Sequence, residues 1–534
     1  MEASNVSKTG SSIDTGLPEK SPRQAVYERY QDLLNEQQAS PDSIFISGHS
    51  LQELDSNLVA LDEDAGEHPR SWTLKKKVWT TAYLAAFLFF SPFASTIFAP
   101  AVYLVMDGLG ITNNTVGALQ VSVFLFAYAV GPPFLAPLSE KYGRAIVIHG
   151  GNLVFVAFSI GGGFCKTATS FAVCRFFAGL GGSAGLAVVG GSIADMWSLE
   201  VRPKASGITM LGPILGPILG PLCGGWMSQG ASWRWTVWMP GIVSGALLVI
   251  GIPLLPETYA PRVLEYKLRK AKRLQDNEKL YTVLDLKRRP TGIGFLLSEF
   301  ARPIVYLILD PALLLAAWFY SVCFGVIYLV IVTFSKYAEV FANGYHHSVG
   351  IVGTDFLAVG IGMIIGTIVT IKIMDAVFKK SDTPSTTSSK PAYKPESRLL
   401  SCIIGTLLTS SGLFIYGFSA LRTHFMVPLV GMAIFAIGAV NIMLAIQLYA
   451  IDGFKFPASA FASLQVLRCI FAGAFPLFGP ELFESLGIDW GVALLAFVVL
   501  GLGLPLVVLL YVFGERLRKS GNARFDRFNG TGED

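Results

Sequence analysis

The chain has 534 residues, of which 52% are hydrophobic and only 15% are charged, and its formal net charge is +4. Soluble domains carry about 25% charged residues, so the composition excludes a soluble globular protein and predicts a polytopic membrane protein. The basic residues lie mainly in loops between apolar stretches, which disfavours a nucleic-acid-binding protein and indicates membrane orientation instead.

The first 75 residues are polar and include acidic residues such as Glu53, Asp55 and Asp62. They contain no recognisable signal peptide, and their composition predicts a disordered cytosolic tail over residues 1–75. Beyond this tail, apolar windows near the length needed to cross ~30 Å of hydrocarbon recur along the chain. We predict twelve spans, at 79–104, 116–137, 145–165, 171–193, 205–227, 236–255, 309–334, 349–374, 399–420, 425–448, 459–483 and 490–513.

An even number of spans places both termini on one side of the membrane, and Lys and Arg residues are concentrated in alternate loops. This bias predicts cytosolic termini. The predicted fold is therefore all-α, with an N-terminal six-helix half at 76–256, a central cytosolic loop at 257–308, a C-terminal six-helix half at 309–514 and a cytosolic tail at 515–534. Two six-helix halves joined by a basic loop are typical of secondary transporters.

Three loop features qualify this plan. The stretch YAPRVLEYKLRKAKRL, which begins at Tyr259, predicts a basic amphipathic helix, either at the lipid headgroups or as a site for a regulatory partner. Asn113 begins an acceptor sequence for N-linked glycosylation in the first predicted outside loop. His346 and His347 are adjacent, which predicts an outside loop pair and not a metal site, with pH sensing as a weaker alternative.

Neither a metal nor a cofactor is expected. The six cysteines lie in or beside apolar stretches without a CxxC pair, so we interpret them as packing residues. The stretch GGGFCKT at 161–167 imitates a phosphate loop but lacks a glycine before Lys166, so the expected energy source is a proton gradient and not ATP.

The loop between predicted spans two and three reads APLSEKYGRAIV. It holds an acid, Glu140, two bases, Lys141 and Arg144, and Gly143, which supplies a turn that aims the charges. A functional gating loop and a merely solvated cluster of charges are both compatible with this pattern.

Predicted span four begins CRFFAGLGG, with Arg175 only a few residues into the apolar stretch. An arginine facing lipid costs several kcal/mol on insertion scales, so we expect Arg175 to point into the helix bundle. The alternative is an arginine that extends to the outer membrane surface.

Predicted span five contains GPILGPILGPLCGG from Gly212, with three Gly-Pro steps spaced four residues apart. This spacing predicts a bent helix with a groove free of side chains along one side. Such a groove would let span five lie close against a helix of the other half. A close-packed helix without a special role is the alternative. The motif comprises Gly207, Gly216, Gly220, Pro221, Gly224 and Gly225.

These three motifs together resemble the major facilitator superfamily, and within it the twelve-span drug:proton antiporter branch of fungal type. The resemblance extends over about residues 76–520 and includes PETYAPRVL after span six. In the loop motif, Ala136 stands where the family usually has glycine, and Ala145 replaces a basic residue. The resemblance implies that this loop latches the two halves, that Arg175 takes part in proton coupling, and that the span-five motif belongs to exporters.

Polar and aromatic residues within the spans are the candidates for proton and substrate handling. Asp355 in span eight is the clearest intramembrane acid and therefore a proton-coupling candidate, although a structural acid is about as compatible with its position near a loop. The substrate-cavity candidates are Gln120, Tyr128, Trp318, Tyr320, Tyr328, Asn441, Gln447 and Arg468. Helix–helix hydrogen bonds are the alternative for the polar members, and packing or interfacial positions for the aromatic ones.

The sequence therefore predicts a proton-coupled exporter of small amphipathic organic molecules such as drugs, polyamines or secondary metabolites. A nutrient or organic-acid carrier and a membrane receptor remain alternatives. The sequence contains neither an HExxH motif nor paired acids within a span, so an enzyme is not expected. The expected partners are the substrate, protons and the lipid bilayer. We expect a monomer in the plasma membrane, with the vacuolar membrane as an alternative.

Overall fold

A computed structural model describes residues 26–28, 55–61, 66–198, 200–286, 293–336, 345, 347–381, 395–454 and 457–528. Eleven helical stretches within these ranges are long and apolar enough to cross a membrane. The last of them covers two predicted spans, so all twelve predicted spans coincide with helices. The predicted all-α polytopic fold is confirmed.

The N-terminal half contains spans one to six. Their helices are Leu74–Thr96 with Val102–Leu109 (span one), Asn114–Tyr142 (two), Arg144–Gly162 (three), Ala168–Gly182 with Ala184–Met196 (four), Arg202–Gly230 (five) and Trp235–Leu254 (six).

The C-terminal half contains spans seven to twelve. Their helices are Pro311–Lys336 (seven), Val349–Asp355 with Leu357–Ser381 (eight), Leu400–Ser419 (nine), Met426–Gly453 (ten) and Pro457–Phe528 (eleven and twelve). The last stretch is 72 residues long and is broken at Gly487, where φ is 71° and ψ is 175°. A left-handed φ of this kind is accessible to glycine without a steric penalty, so Gly487 can form the turn between spans eleven and twelve.

The described residues up to Trp72, together with those at 260–286, form a compact unit of their own. Its helix, Ala260–Gln275, buries Leu264 in a cluster with Val59, Leu61 and Leu280. The backbone N–H of Val59 donates to the carbonyl of Tyr281 at 2.9 Å.

Two sequence-based interpretations change as a result. Residues 55–61 fall in the predicted disordered tail but are ordered, because their apolar side chains pack against the central-loop helix. The buried side of that helix contacts protein, so the lipid-headgroup interpretation is wrong for Leu264 and its neighbours.

The tail predicted at 515–534 is helical as far as the structure describes it. The helix of span twelve continues to Phe528, and Phe525 is buried with its ring centroid 4.8 Å from that of Tyr306. Arg518 donates from Nε to Glu396 at 2.9 Å and from Nη1 to the carbonyl of Gly453 at 2.6 Å. Tyr306 belongs to a helix at Ile293–Leu309, within the predicted central loop, that the sequence analysis does not anticipate.

Candidate functional site

A cavity lies between the two halves of the membrane bundle. Its lining comes from spans one, two, four and five on one side and from spans seven, eight, ten and eleven on the other. The empty space is about 1180 Å³, including the part that is open to solvent. Most of the lining is aliphatic, aromatic or methionine, which suits a bulky apolar ligand.

Four of the predicted cavity residues line this space: Tyr128, Tyr328, Gln447 and Arg468. Arg468 projects from span eleven and donates from Nη1 to the hydroxyl of Tyr320 at 3.2 Å. The side-chain amide of Gln447 donates to the same hydroxyl at 2.6 Å. Tyr320 itself has no exposed surface and lies behind the lining, so it positions Arg468 and Gln447 from outside the cavity.

The other three predicted cavity residues lie elsewhere. The side chain of Trp318 is 46% exposed on the outside of the bundle, because its position on span seven is rotated away from the cavity. Gln120 is buried, and its side-chain amide donates to the carbonyl of Val116 in the same helix. Asn441 accepts a hydrogen bond from Ser401 at 2.8 Å, which is the helix–helix contact considered as its alternative.

Several lining residues escape the sequence analysis, notably Pro213, Pro217, Phe324, Phe356 and Met443. The signal for the prolines is present in the sequence, because each follows a glycine of the stretch GPILGPILGPLCGG. A step of one residue rotates the side chain by about 100° around a helix, so prolines and glycines occupy different sides. Proline faces the cavity, and glycine faces a neighbouring helix.

That neighbour is span one of the same half. A Cβ atom on Gly216 would lie 2.8 Å from the backbone nitrogen of Phe93, and one on Gly220 would lie 2.8 Å from the carbonyl oxygen of Phe93. A Cβ atom on Gly224 would overlap the carbonyl oxygen of Ile97. The groove predicted along span five therefore exists, but the expectation that it receives a helix of the other half is wrong for these glycines.

Only the end of the motif reaches the other half among the described contacts. A Cβ atom on Gly225 would lie 2.7 Å from the carbonyl oxygen of Val349 and 2.9 Å from the Cα atom of Gly353, both in span eight. Gly207 lies at the start of the motif. Apart from the backbone of its own helix, no described heavy atom would lie within 4 Å of a Cβ atom added there. Pro221 contributes its carbonyl, 2.6 Å from the would-be Cβ of Gly353.

Arg175 points into the bundle, as the sequence predicts, and is only 3% exposed. Its guanidinium donates to three backbone carbonyls, those of Ala94 at 2.8 Å, Ser95 at 3.3 Å and Gln120 at 3.4 Å. Its Cζ atom lies 4.5 Å from the ring centroids of both Phe98 and Phe124. The carbonyls of span one are available because its helix ends at Thr96.

Asp355 is 7% exposed and lies at the break between the two helices of span eight. Its Oδ2 atom is 3.0 Å from Nδ1 of His347, which precedes span eight. The sequence places His347 in a loop pair and gives no sign of this contact, because the seven intervening residues include the start of a helix. His346, the other member of that pair, lies outside the described residues.

The predicted gating loop is built around Arg144, which is 8% exposed. Arg144 donates from Nη1 to Ser139 at 2.7 Å and from Nε to Asp195 at 3.3 Å. Glu257 accepts from the backbone N–H groups of Arg144 at 2.8 Å and Ala145 at 3.2 Å, which caps the N-terminus of span three.

Gly143 makes this geometry possible with φ of 107°. Glu140 lies 3.8 Å from Nη2 of Arg144, and the Lys141 ammonium lies 5.4 Å from the ring of Tyr142. These described contacts connect elements of the N-terminal half with one another and with Glu257 at the start of the central loop. The family resemblance implies that this loop latches the two halves. The described contacts of the loop do not include such a latch.

Asn113 is exposed and begins span two as an N-cap, with Oδ1 accepting from the N–H of Thr115 at 2.8 Å. Its glycosylation stays a prediction.

Two six-span halves around a central cavity define a secondary transporter. Residues 84–476 match the sequence profile of the Major Facilitator Superfamily. The chain therefore belongs to the Major Facilitator Superfamily.

The relatives and solved structures agree. The chain is 35% identical over 467 residues to the Efflux pump vrtL of Penicillium aethiopicum, and this match covers 87% of this chain and 91% of that protein. It is 36% identical over 459 residues to the MFS transporter cpaT of Aspergillus oryzae, covering 86% and 90%. The fold is similar to a partially occluded inward open conformation of the xylose transporter XylE from E. coli, with a TM-score of 0.60, 14% identity, and 82% and 98% of the two chains covered.

Proposed function

We propose that this chain exports small amphipathic organic molecules in exchange for protons. The observation that supports it most directly is the apolar, aromatic cavity between the two halves, which fits a molecule with a large hydrophobic body. The relatives named as efflux pumps support the outward direction of transport.

Transport would proceed by rocking of the two halves around the cavity. Spans five and eight touch backbone to backbone where Gly225 meets Gly353, at the end predicted to face outward. Small residues permit this close approach, and opening that end requires the contact to separate. The bent, glycine-lined span five would then move together with span one, because the two are packed along most of their length.

Proton coupling is proposed for Asp355 together with His347. A buried carboxylate beside an imidazole can hold or release a proton while its partner compensates the charge. Arg175 is the second coupling candidate, on the basis of the family resemblance. Its described contacts are carbonyls and rings, so any influence on an acid would act over a distance.

The proposed setting is a multi-pass protein of the plasma membrane, with the vacuolar membrane as the alternative. We propose that the protein acts as a monomer, because the cavity is completed by the two halves of a single chain.

Export is expected to depend on the proton gradient and not on ATP. In reconstituted vesicles with an imposed gradient and no nucleotide, substrate should accumulate, and a protonophore should abolish the accumulation. An empty-vesicle preparation controls for passive partition of an amphiphile into lipid. Accumulation that persists after the gradient has collapsed would contradict proton exchange.

Replacing Asp355 with asparagine is expected to abolish gradient-driven export while leaving exchange at equal substrate concentrations largely intact. Asparagine preserves the shape of the side chain and a hydrogen bond to His347 but cannot carry a proton. Counterflow and gradient-driven efflux, each measured between pH 5 and pH 8, separate these two activities.

The matched control is Asp107→Asn, which neutralises an exposed acid near the end of span one. Asp107→Asn should behave as the wild type in both assays. Full gradient-driven export by Asp355→Asn with an unchanged pH profile would show that Asp355 is a structural acid.

A further inference from the structure

The cavity has an unusual charge distribution. Among its described lining residues, Arg468 is the one charged side chain, and none is Asp, Glu or Lys. The remaining lining offers polar atoms chiefly through Tyr128, Tyr328 and Gln447. A ligand in this cavity therefore meets a single positive charge in an apolar setting, where electrostatic interactions are stronger than in water.

The contacts of Arg468 leave hydrogen-bonding capacity unused. Its Nη1 atom donates to the hydroxyl of Tyr320, and its Cζ atom lies 4.5 Å from the ring centroid of Phe324. Its Nε–H is buried without a hydrogen-bond partner among the described residues. A guanidinium has five N–H donors, and a neutral hydroxyl satisfies only a small part of them.

Arg175 provides an internal comparison. It is also a buried arginine without an ion pair among the described residues, but three carbonyls and two aromatic rings surround its guanidinium. Arg175 does not line the cavity, whereas Arg468 does. The protein can therefore satisfy a buried arginine with its own backbone, and it does not do so at Arg468.

The geometry points to an amphipathic anion as the transported molecule, with its carboxylate or other anionic oxygen bound by Arg468 and its apolar body held by the aromatic lining. This inference rests on the proposed export function and adds the charge of the substrate to it. An arginine presents a planar set of donors that matches a carboxylate and forms charge-assisted hydrogen bonds stronger than neutral ones.

Polyamines and other cations, which the sequence analysis leaves among the candidates, fit the cavity poorly. A cation would approach Arg468 without a carboxylate in the described lining to offset the repulsion. Bringing like charges together in a desolvated site is a means of excluding a ligand.

The test uses three probes that share one aromatic body and differ in the charge of the head: 1-pyrenebutyric acid, its methyl ester and 1-pyrenebutylamine. Binding to the purified full-length protein in detergent is measured by isothermal titration calorimetry at pH 7.5. We expect the acid to bind at least about tenfold more tightly than the ester, which corresponds to about 1.4 kcal/mol, and the amine to bind most weakly.

Two variants locate the preference. Arg468→Gln should weaken binding of the acid at least about tenfold and binding of the ester much less, so that the advantage of the acid is lost. Gln447→Glu is nearly isosteric and places a carboxylate beside Arg468, because both side chains reach the hydroxyl of Tyr320. It should weaken acid binding by about tenfold and strengthen amine binding, even if Arg468→Gln fails to fold.

The outcomes separate this inference from export itself. Equal binding of acid and ester to the wild type, or an unchanged acid preference in Gln447→Glu, would overturn the anion inference. An equal loss of acid and ester binding in Arg468→Gln would also overturn it, since that pattern indicates a structural role. Efflux of the three probes from cells is measured in parallel. Outward transport of the ester and the amine but not of the acid would support export and contradict the anion inference. Acid-selective binding without any outward transport would contradict export alone.

Discussion

Replacing Gly224 with leucine is expected to reduce export at least tenfold, chiefly by lowering the amount of folded protein. Any side chain at this position overlaps the carbonyl oxygen of Ile97, which belongs to the backbone and cannot rotate aside. Overpacking of this kind costs about 1–3 kcal/mol or more, a large fraction of the stability of a typical protein. A groove that received a helix of the other half would predict a folded but inactive transporter. Because the groove receives span one of the same half, we expect a loss of folded protein instead.

The readouts are surface amount, thermal unfolding midpoint in detergent and efflux per molecule. Gly207→Leu is the matched control: it has the same chemistry in the same helix, but its Cβ meets open space, so near wild-type amount and efflux are expected. Gly225→Ala tests the contact between the halves and should preserve folding while slowing efflux. Normal amount and efflux from Gly224→Leu would show that spans one and five do not pack as described.

Replacing Arg175 with leucine is expected to have a comparably large effect. The substitution leaves the carbonyls of Ala94 and Ser95, at the end of the span-one helix, without this donor in a buried site, whereas the carbonyl of Gln120 keeps the backbone hydrogen bond of its own helix. An unsatisfied buried acceptor costs about 1–3 kcal/mol, and two occur together here. We therefore expect a marked loss of folded protein and at least a tenfold loss of export.

Arg175→Lys separates the structural role from the coupling role. Lysine keeps the charge but cannot reach three carbonyls in the planar arrangement of a guanidinium, so a lower unfolding midpoint and slower efflux are expected with an unchanged pH optimum. A shifted pH optimum at normal stability would instead support direct proton coupling by Arg175. The control is Arg422→Lys, because the Arg422 side chain is 63% exposed and its contact with Asp489 should contribute little to stability.

Much of the fold could be predicted from the sequence because a spanning helix satisfies its own backbone hydrogen bonds and its length is set by the membrane. The order of residues 55–61 could not be predicted in this way, because it depends on Leu264 and Tyr281, more than two hundred residues away in the sequence.

The candidate site was predictable only in part. Tyr128, Tyr328, Gln447 and Arg468 were identified because polar or amphipathic side chains are conspicuous among apolar spans. Trp318 was assigned to the cavity on the same grounds, but its direction depends on the rotation of span seven about its axis. Span seven is apolar on every side, so its sequence contains no amphipathic pattern that fixes this rotation.

The sequence by itself determined that the chain is a membrane protein of two six-span halves, that Arg175 points inward and that span five has a groove free of side chains. These features follow from local constraints: hydrophobic length, the cost of a charge in hydrocarbon and the spacing of glycine and proline. The tertiary structure alone decided that the groove receives span one, that Asp355 meets His347 and that Arg468 has no carboxylate partner among the described residues. The first and the last depend on which spans become neighbours. In a bundle of uniformly apolar helices these neighbours are chosen by shape complementarity, which no single segment contains.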